Sequence, residues 1–215
     1  VIYKDRKDAG IRLASLLLKY KDRKDVIVLA LPRGGVVIGY EIAKALNCPL
    51  DIIIIRKIGF PGQPELAIGA ISETGAVVLN EAIISTYNVS KDYIEREITK
   101  QKNEISRRID FYRGGEGIPS LDGKTIILVD DGIATGATMK AAISTLKKEK
   151  IVRLIAALPV SSEDAEEEIK KMVDEWVCPE TDTWFTAVGN YYQDFAQVSD
   201  DKVIELLKQK IKTEG

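Results

Sequence analysis

The chain contains no histidine. That absence excludes Ser-His-Asp and Cys-His catalysis, metal sites built on imidazole, and imidazole proton shuttles. Cysteine is scarce too. Cys48 and Cys178 form no CxxC pair, which argues against a disulfide framework and for a reducing compartment. No apolar run approaches the roughly 18 residues a bilayer span requires, because the best candidate, Val26 to Leu31, runs into Pro32 and Arg33. The segment from Val1 to Asp8 is charged and lacks an apolar core followed by a small-residue cleavage site, so the expected location is cytoplasmic, with no membrane partner. An excess of either charge is also missing. With 31 basic against 33 acidic side chains the formal charge is -2, and binding of nucleic acid by bulk electrostatics is not expected.

What is present is a 215-residue chain, 45% hydrophobic, with 16 glycines and 7 prolines, a composition suited to one globular domain spanning 1–215. Short apolar runs rich in β-branched residues at Val26 to Leu31, Ile52 to Ile55, Thr125 to Val129 and Val152 to Leu158 have the character of strands buried on both faces of a parallel sheet. Helical spacing separates them. Asp5 is a plausible N-cap for a helix carrying Ala9, Leu13, Leu16, Leu17 and Tyr20, and further helices follow Gly34-Gly35, Ser90, Gly136 and Ser161 or Ser162. The helix capped by Ser161 or Ser162 is expected to carry Ala165, Ile169, Met172, Val173 and Trp176 on its apolar face, and Thr183 to Val188 to form a strand. A last helix from Asp200 carries Val203, Leu206, Leu207 and Ile211. The helix after Ser90 shows a narrow stripe of Ile94, Ile98, Ile105, Ile109 and Tyr112, either a surface crossover or part of a dimer contact. Strands alternating with helices predict an α/β fold with a doubly wound, mainly parallel sheet. Gly59 to Pro64 has loop chemistry, with Ala67 to Ser72 and Ala76 to Leu79 as strands after it.

The most informative segment is Val129-Asp130-Asp131-Gly132-Ile133-Ala134-Thr135-Gly136-Ala137-Thr138. A buried strand delivers two adjacent carboxylates, and a turn of small residues leads into the positive end of a helix. Free amides, two hydroxyls and Gly136 make that turn an anion site suited to a phosphate. Carboxylates beside a phosphate site would repel the ligand unless it offers them hydroxyl donors, with or without a divalent cation. A sugar phosphate with vicinal hydroxyls meets that requirement. Competing motifs fail on spacing: Gly132 and Gly136 do not make GxGxxG, and Gly123-Lys124-Thr125 has Ile118 where a P-loop needs its first glycine. Pro32 to Gly35 forms a second strand-turn-helix unit with two glycines and an arginine, a further anion site. If the two strands are neighbours with oppositely wound crossovers, both sites flank one switch-point crevice.

This ten-residue run resembles the phosphoribosyl-pyrophosphate (PRPP) motif of type I phosphoribosyltransferases. Leu31-Pro32-Arg33-Gly34-Gly35, Arg56-Lys57-Ile58-Gly59, Pro64 to Ala70 and Val188-Gly189-Asn190-Tyr191-Tyr192 are similar to a group of prokaryotic members whose substrate is undefined. The resemblance implies that Asp130 and Asp131 hold the ribose hydroxyls and, with or without a bridging water, Mg. It implies that Ala134, Thr135, Gly136, Ala137 and Thr138 wrap the 5-phosphate, and that Arg33, Gly34 and Gly35 hold pyrophosphate on a turn with a cis peptide expected at Arg33-Gly34. Arg56 and Lys57 end a strand on the same edge, either as a solvated basic pair or as charge for pyrophosphate, with Lys57 grouped beside Asp130 and Asp131 as catalytic. The 59–65 segment matches the place of a mobile loop, though Pro61 and Pro64 would stiffen it.

The family's hood over the base is expected within 183–215. Trp184 to Phe195 loosely resembles the base side of hypoxanthine-guanine enzymes, making Phe185, Val188, Tyr191 and Tyr192 candidates for a platform under a nucleobase, with packing aromatics as the alternative. The implied activity is phosphoribosyl transfer from PRPP to a nitrogen acceptor by a homodimer. The alternative is a PRPP-sensing regulator without turnover; its nucleic-acid contacts would have to use the lysines at 147–150 and 208–212.

Overall fold

In the computed structural model, residues 3–209 are described. Ile211, expected on the last apolar stripe, and Lys210 and Lys212 lie outside them. The chain runs through α1 (Arg6–Ser15), β1 (Val26–Ala30), α2 (Gly34–Leu46), β2 (Leu50–Ile52), β3 (Ile55–Phe60), β4 (Gln63–Ser72) and β5 (Val77–Leu79). It continues through α3 (Glu81–Thr86), α4 (Lys91–Arg113), β6 (Thr125–Val129), α5 (Ala137–Leu146), β7 (Arg153–Ala157) and β8 (Val160–Ser162). The final elements are α6 (Glu163–Ile169), β9 (Glu175–Val177), β10 (Glu180–Asp182) and α7 (Asp200–Lys208).

Five parallel strands in the order β2-β1-β6-β7-β9 make the central sheet. β1 and β6 pair from Val26 with Thr125 to Ala30 with Val129, so their C-terminal ends finish level. The crossover after β1 leads to β2 on one side, and the crossover after β6 leads to β7 on the other. Helices α1 and α2 pack with Val28, Ile127 and Val129 on one face; α5 and α6 pack with Ile27, Leu29, Ile126 and Leu128 on the opposite face. Side chains of alternate parity from the same two strands therefore feed two cores, which is why every residue of β1 and β6 is buried. The switch point lies between β1 and β6, where open α/β sheets bind ligands.

Several expected elements differ. Ile52 to Ile55 is not one strand: β2 ends at Ile52, and the chain re-enters as β3 of an antiparallel sheet, β3-β4-β5. Ile53 and Ile54 between them are buried in two different clusters, and an apolar run cannot distinguish such a link from a strand. Arg56 and Lys57 consequently sit inside β3, not at the end of a parallel strand. The expected loop at 59–64 is the tip of the β3–β4 hairpin, with Phe60 paired to Gln63. Pro61 and Gly62, the latter at φ +75°, occupy the order a type II turn requires.

Helix α1 ends at Ser15, a short 3-10 turn spans Leu18–Tyr20, and Leu16 is 51% exposed, off the core stripe. α6 stops at Ile169 instead of reaching Trp176. The Asp174 carboxylate accepts the Leu154 N–H at 2.7 Å, and this contact draws the following residues to the sheet edge as β9. Thr183 to Val188 is not a strand; β10 precedes it, and a 3-10 turn covers Val188–Tyr191. None of the described helices is long and apolar enough to cross a membrane.

Candidate active site

Asp130 and Asp131 emerge where β6 ends, level with the turn that follows β1; the Leu31 N–H donates to the Val129 carbonyl at 2.9 Å. Asp130 Oδ1 accepts the Asp131 N–H at 2.8 Å. Burial, and then the neighbouring Asp131 charge, push the Asp130 carboxyl well above the usual carboxylate range. Arg6 donates from Nε to Asp131 Oδ2 at 2.8 Å and from Nη1 to the Ala196 carbonyl at 2.7 Å. Its guanidinium lies 3.8 Å from the centroid of the Phe195 ring. Tyr192 donates its hydroxyl to the Asp131 carbonyl at 2.6 Å, and burial, reinforced by Asp131, raises that phenol. Asp131 is thus gripped from α1 and the C-terminal segment, and its own N–H in turn holds Asp130. Sequence reasoning missed Arg6, which reads locally as one more charge in a first helical turn.

The acids lie against the start of α2. A Cβ on Gly34 would collide with Asp131 Oδ2, and one on Gly35 would fall 2.8 Å from the Val129 carbonyl. Only glycine allows this approach, which sets the free amides of α2 beside the carboxylates. The cis peptide of this turn is Pro32-Arg33, one residue earlier than expected. Arg33 turns toward α7, its Nη1 4.0 Å from Asp200 Oδ1.

The 134–138 turn is supported from below. Ile133 bridges to Ser161, and Ser162 donates its hydroxyl to the Ala134 carbonyl. Gly136 is left-handed at φ +68° and caps α5; an added Cβ would also meet Ile169 Cδ1 at 2.6 Å. Ala134, Thr135 and Thr138 are exposed and Ala137 half-buried, so the amides that begin α5 face an open mouth. A cavity of about 600 Å³ between the β3–β4 hairpin and α4 brings Arg56 and Lys57 together with Thr138. Arg56 donates to Gln101 Oε1 at 2.9 Å; burial and the charge of Arg108 lower its pKa.

The base-side candidates separate. Val188 packs so closely on Gly132 that a Cβ there would come within 2.7 Å of its Cγ1, putting Val188 directly over the acid turn. Phe185 and Tyr191 stack with centroids 5.1 Å apart, and Trp184 beside them is 86% exposed. Tyr192 is a core residue at 6% exposure, with Tyr3 and Phe195 against its ring; it touches the site through its hydroxyl.

The sequence pattern described as Phosphoribosyl transferase domain matches residues 2–196. The chain belongs to the phosphoribosyl transferase family. Two Mycobacterium tuberculosis proteins, Rv0571c and MT0597, each with phosphoribosyl transferase in its name, are 41% identical over 206 residues, covering 96% of this chain and 46% of their own length. This phosphoribosyl transferase chain therefore spans about half the length of those curated relatives. The crystal structure of TT1426 from Thermus thermophilus superposes with a TM-score of 0.86 at 39% identity, covering 96% of this chain and 98% of that one. The mixed α/β fold with its five-stranded parallel sheet is thus the fold of the family.

Proposed function

We propose that this phosphoribosyl transferase takes PRPP, with Mg, and transfers its 5-phosphoribosyl group to a nitrogen acceptor, a nucleobase, releasing pyrophosphate. The observation that carries the reading is the convergence at one switch point of two carboxylates and two glycine-shaped anion sites, at 32–35 and 134–138. A ligand with a phosphate at one end, a diol in the middle and a pyrophosphate at the other matches that order. In this reading Asp130 and Asp131 accept the ribose hydroxyls, the amides and hydroxyls of 134–138 take the 5-phosphate, and Gly34 and Gly35 offer amides to pyrophosphate. Arg33, Arg56 and Lys57 supply charge to the leaving group. The C1–O bond breaks as the C1–N bond forms, and the acceptor's proton passes to pyrophosphate or water. Positioning and charge neutralisation then supply the rate enhancement.

Among the described residues no group of three or more His, Cys, Asp or Glu stands together as a metal site. Two carboxylates fit the usual mode of Mg, which takes one or two protein oxygens and completes its shell from ligand phosphates and water; bound there by Asp130 and Asp131, it would neutralise charge on pyrophosphate. The Phe185-Tyr191 stack and Val188 are the proposed base side. The proposal includes a homodimer and a cytoplasmic setting, the latter consistent with two free cysteines whose thiols burial pushes up to about 12.

Calorimetry with PRPP and Mg tests the site. Wild type is expected to bind, and Asp130→Asn/Asp131→Asn to bind at least tenfold more weakly; equal binding would remove the assignment. A panel of nucleobases scored for pyrophosphate release then identifies the acceptor, and failure of every base would defeat the acceptor class.

A further inference from the structure

Beyond the crevice, on the α4 side of the 32–35 turn, lies a cavity of about 380 Å³ lined by Pro32, Arg33, Arg107, Arg108, Phe111, Tyr112 and Asp200. Pro32 and Arg33 belong to the 32–35 turn, and the other five lining residues lie outside that turn, the acid pair and the 134–138 turn. We propose that this cavity is a second anion site, one that binds a polyphosphate chain through the guanidiniums of Arg107 and Arg108, with Arg33 at the boundary it shares with the crevice.

The charge inventory favours an anion. Three guanidiniums face a single lining carboxylate, Asp200. That carboxylate already accepts the Tyr112 hydroxyl at 2.6 Å and stands 4.0 Å from Arg33. Arg107 and Arg108 share one counter-charge, Glu104, which takes both Nε and Nη2 of Arg107 and Nε of Arg108 at 2.7 to 3.0 Å. The two arginines hold the Glu104 carboxyl down at about 2, so it is ionised at any working pH and still leaves one charge of the pair unmatched. Beside α4, Arg56 of β3 donates to the neutral side chain of Gln101, and burial, then the charge of Arg108 and to a lesser extent that of Arg107, lower its pKa against the opposing pull of Glu104. Cations crowded this way are relieved by a multivalent anion.

Geometry agrees with charge. Arg107 and Arg108 keep 67% and 37% of their side-chain surface exposed, so their terminal N–H groups can turn toward a ligand, and paired forks suit successive phosphates. Phe111, 50% exposed, supplies a ring at the rim against which a base could lie. The shared chemistry is a polyphosphate, either free or as the tail of a nucleotide.

The binding claim does not depend on PRPP being the crevice ligand, and the test keeps the two apart. Inorganic tripolyphosphate is titrated into wild type and Arg107→Gln/Arg108→Gln, with helical content and melting temperature compared to establish folding. Wild type is expected to bind, and the variant to lose a whole binding event or weaken it at least tenfold, with PRPP affinity changed less than threefold. Tripolyphosphate binding that is identical in both proteins would overturn the proposal. So would parallel loss of PRPP binding in the variant, which would make these arginines part of the crevice. If PRPP binds neither protein, the crevice reading fails while the tripolyphosphate comparison still decides the second site. ATP forms a second arm: tighter binding than tripolyphosphate assigns the rim to a base, and equal binding assigns the site to the chain of phosphates alone.

Discussion

Asp130 answers to two opposed requirements. The proposed acceptance of a ribose hydroxyl asks it to be charged, while its burial next to Asp131 penalises that charge. A folded-state pKa above the unfolded value means the penalty is absent below the ordinary carboxylate range, grows as pH rises through the raised value, and is full above it. Asp130→Asn keeps an oxygen able to accept the Asp131 N–H and removes the charge. It is therefore expected to stabilise the protein by about 1–2 kcal/mol at neutral pH while weakening binding of the proposed ligand. Urea melts at several pH values check this: the gain over wild type should shrink as the solution is acidified, and a pH-independent gain would contradict the assignment. The pair itself was legible in the sequence, because strand, acids and turn are contiguous and each needs only local chemistry. Their restraint was not legible. Arg6 is 125 residues from Asp131, and a single sequence carries no mark of a contact made only after folding.

Helix α4 has termini that could be read directly: Ser90 accepts the Tyr93 N–H, and Gly114 closes it in the left-handed conformation at φ +61°. What fixes it to the sheet could not be. Arg113, 8% exposed, pairs with Asp51 and with Glu73, which is 1% exposed, and also donates to the Ile52 carbonyl. Burial raises the Asp51 carboxyl against the opposing pull of Arg113. Arg113→Ala would leave both acids buried and unpaired, and a loss of about 3–5 kcal/mol is expected, measured by chemical denaturation at pH 7. A change below about 1 kcal/mol, the usual range for surface pairs, would show the network to be no more than a surface contact. The β3–β4 hairpin was the largest misreading among the elements. Glycine and proline at 59–64 signalled a turn correctly, but the flanking residues pair as an antiparallel arm, and Tyr93 ties it to α4 by donating its hydroxyl to the Gly59 carbonyl at 2.7 Å.

At the scale of the molecule, alternating strands and helices were enough for the doubly wound class, since each buried run and each amphipathic stretch reports its own environment. The strand order at the switch point had to be seen, and so did the closure of the two ends of the fold on each other. Tyr3 bridges to Tyr192, the Tyr3 N–H donates to the Tyr191 carbonyl at 2.9 Å, and the Gln193 N–H donates back to the Tyr3 carbonyl at 2.9 Å. Arg6 locks that seam to the acid pair. Arg6→Ala is accordingly expected to cost about 2–3 kcal/mol and to weaken PRPP binding together with the Asp131 geometry. Arg6→Lys, which keeps charge but not the fork, should recover only part of both; thermal melts and calorimetry on the two variants measure it, and full recovery by lysine would reduce Arg6 to a counter-charge.

The same seam sets a timetable for the ribosome. Arg6 is made 125 residues before Asp131 and 190 residues before the Ala196 carbonyl, with the Phe195 ring one residue earlier than Ala196. In a nascent chain that stops before residue 195, Arg6 has neither the Phe195 ring nor the Ala196 carbonyl to hold it against Asp131, so under the proposed function ligand competence is expected only once both are made.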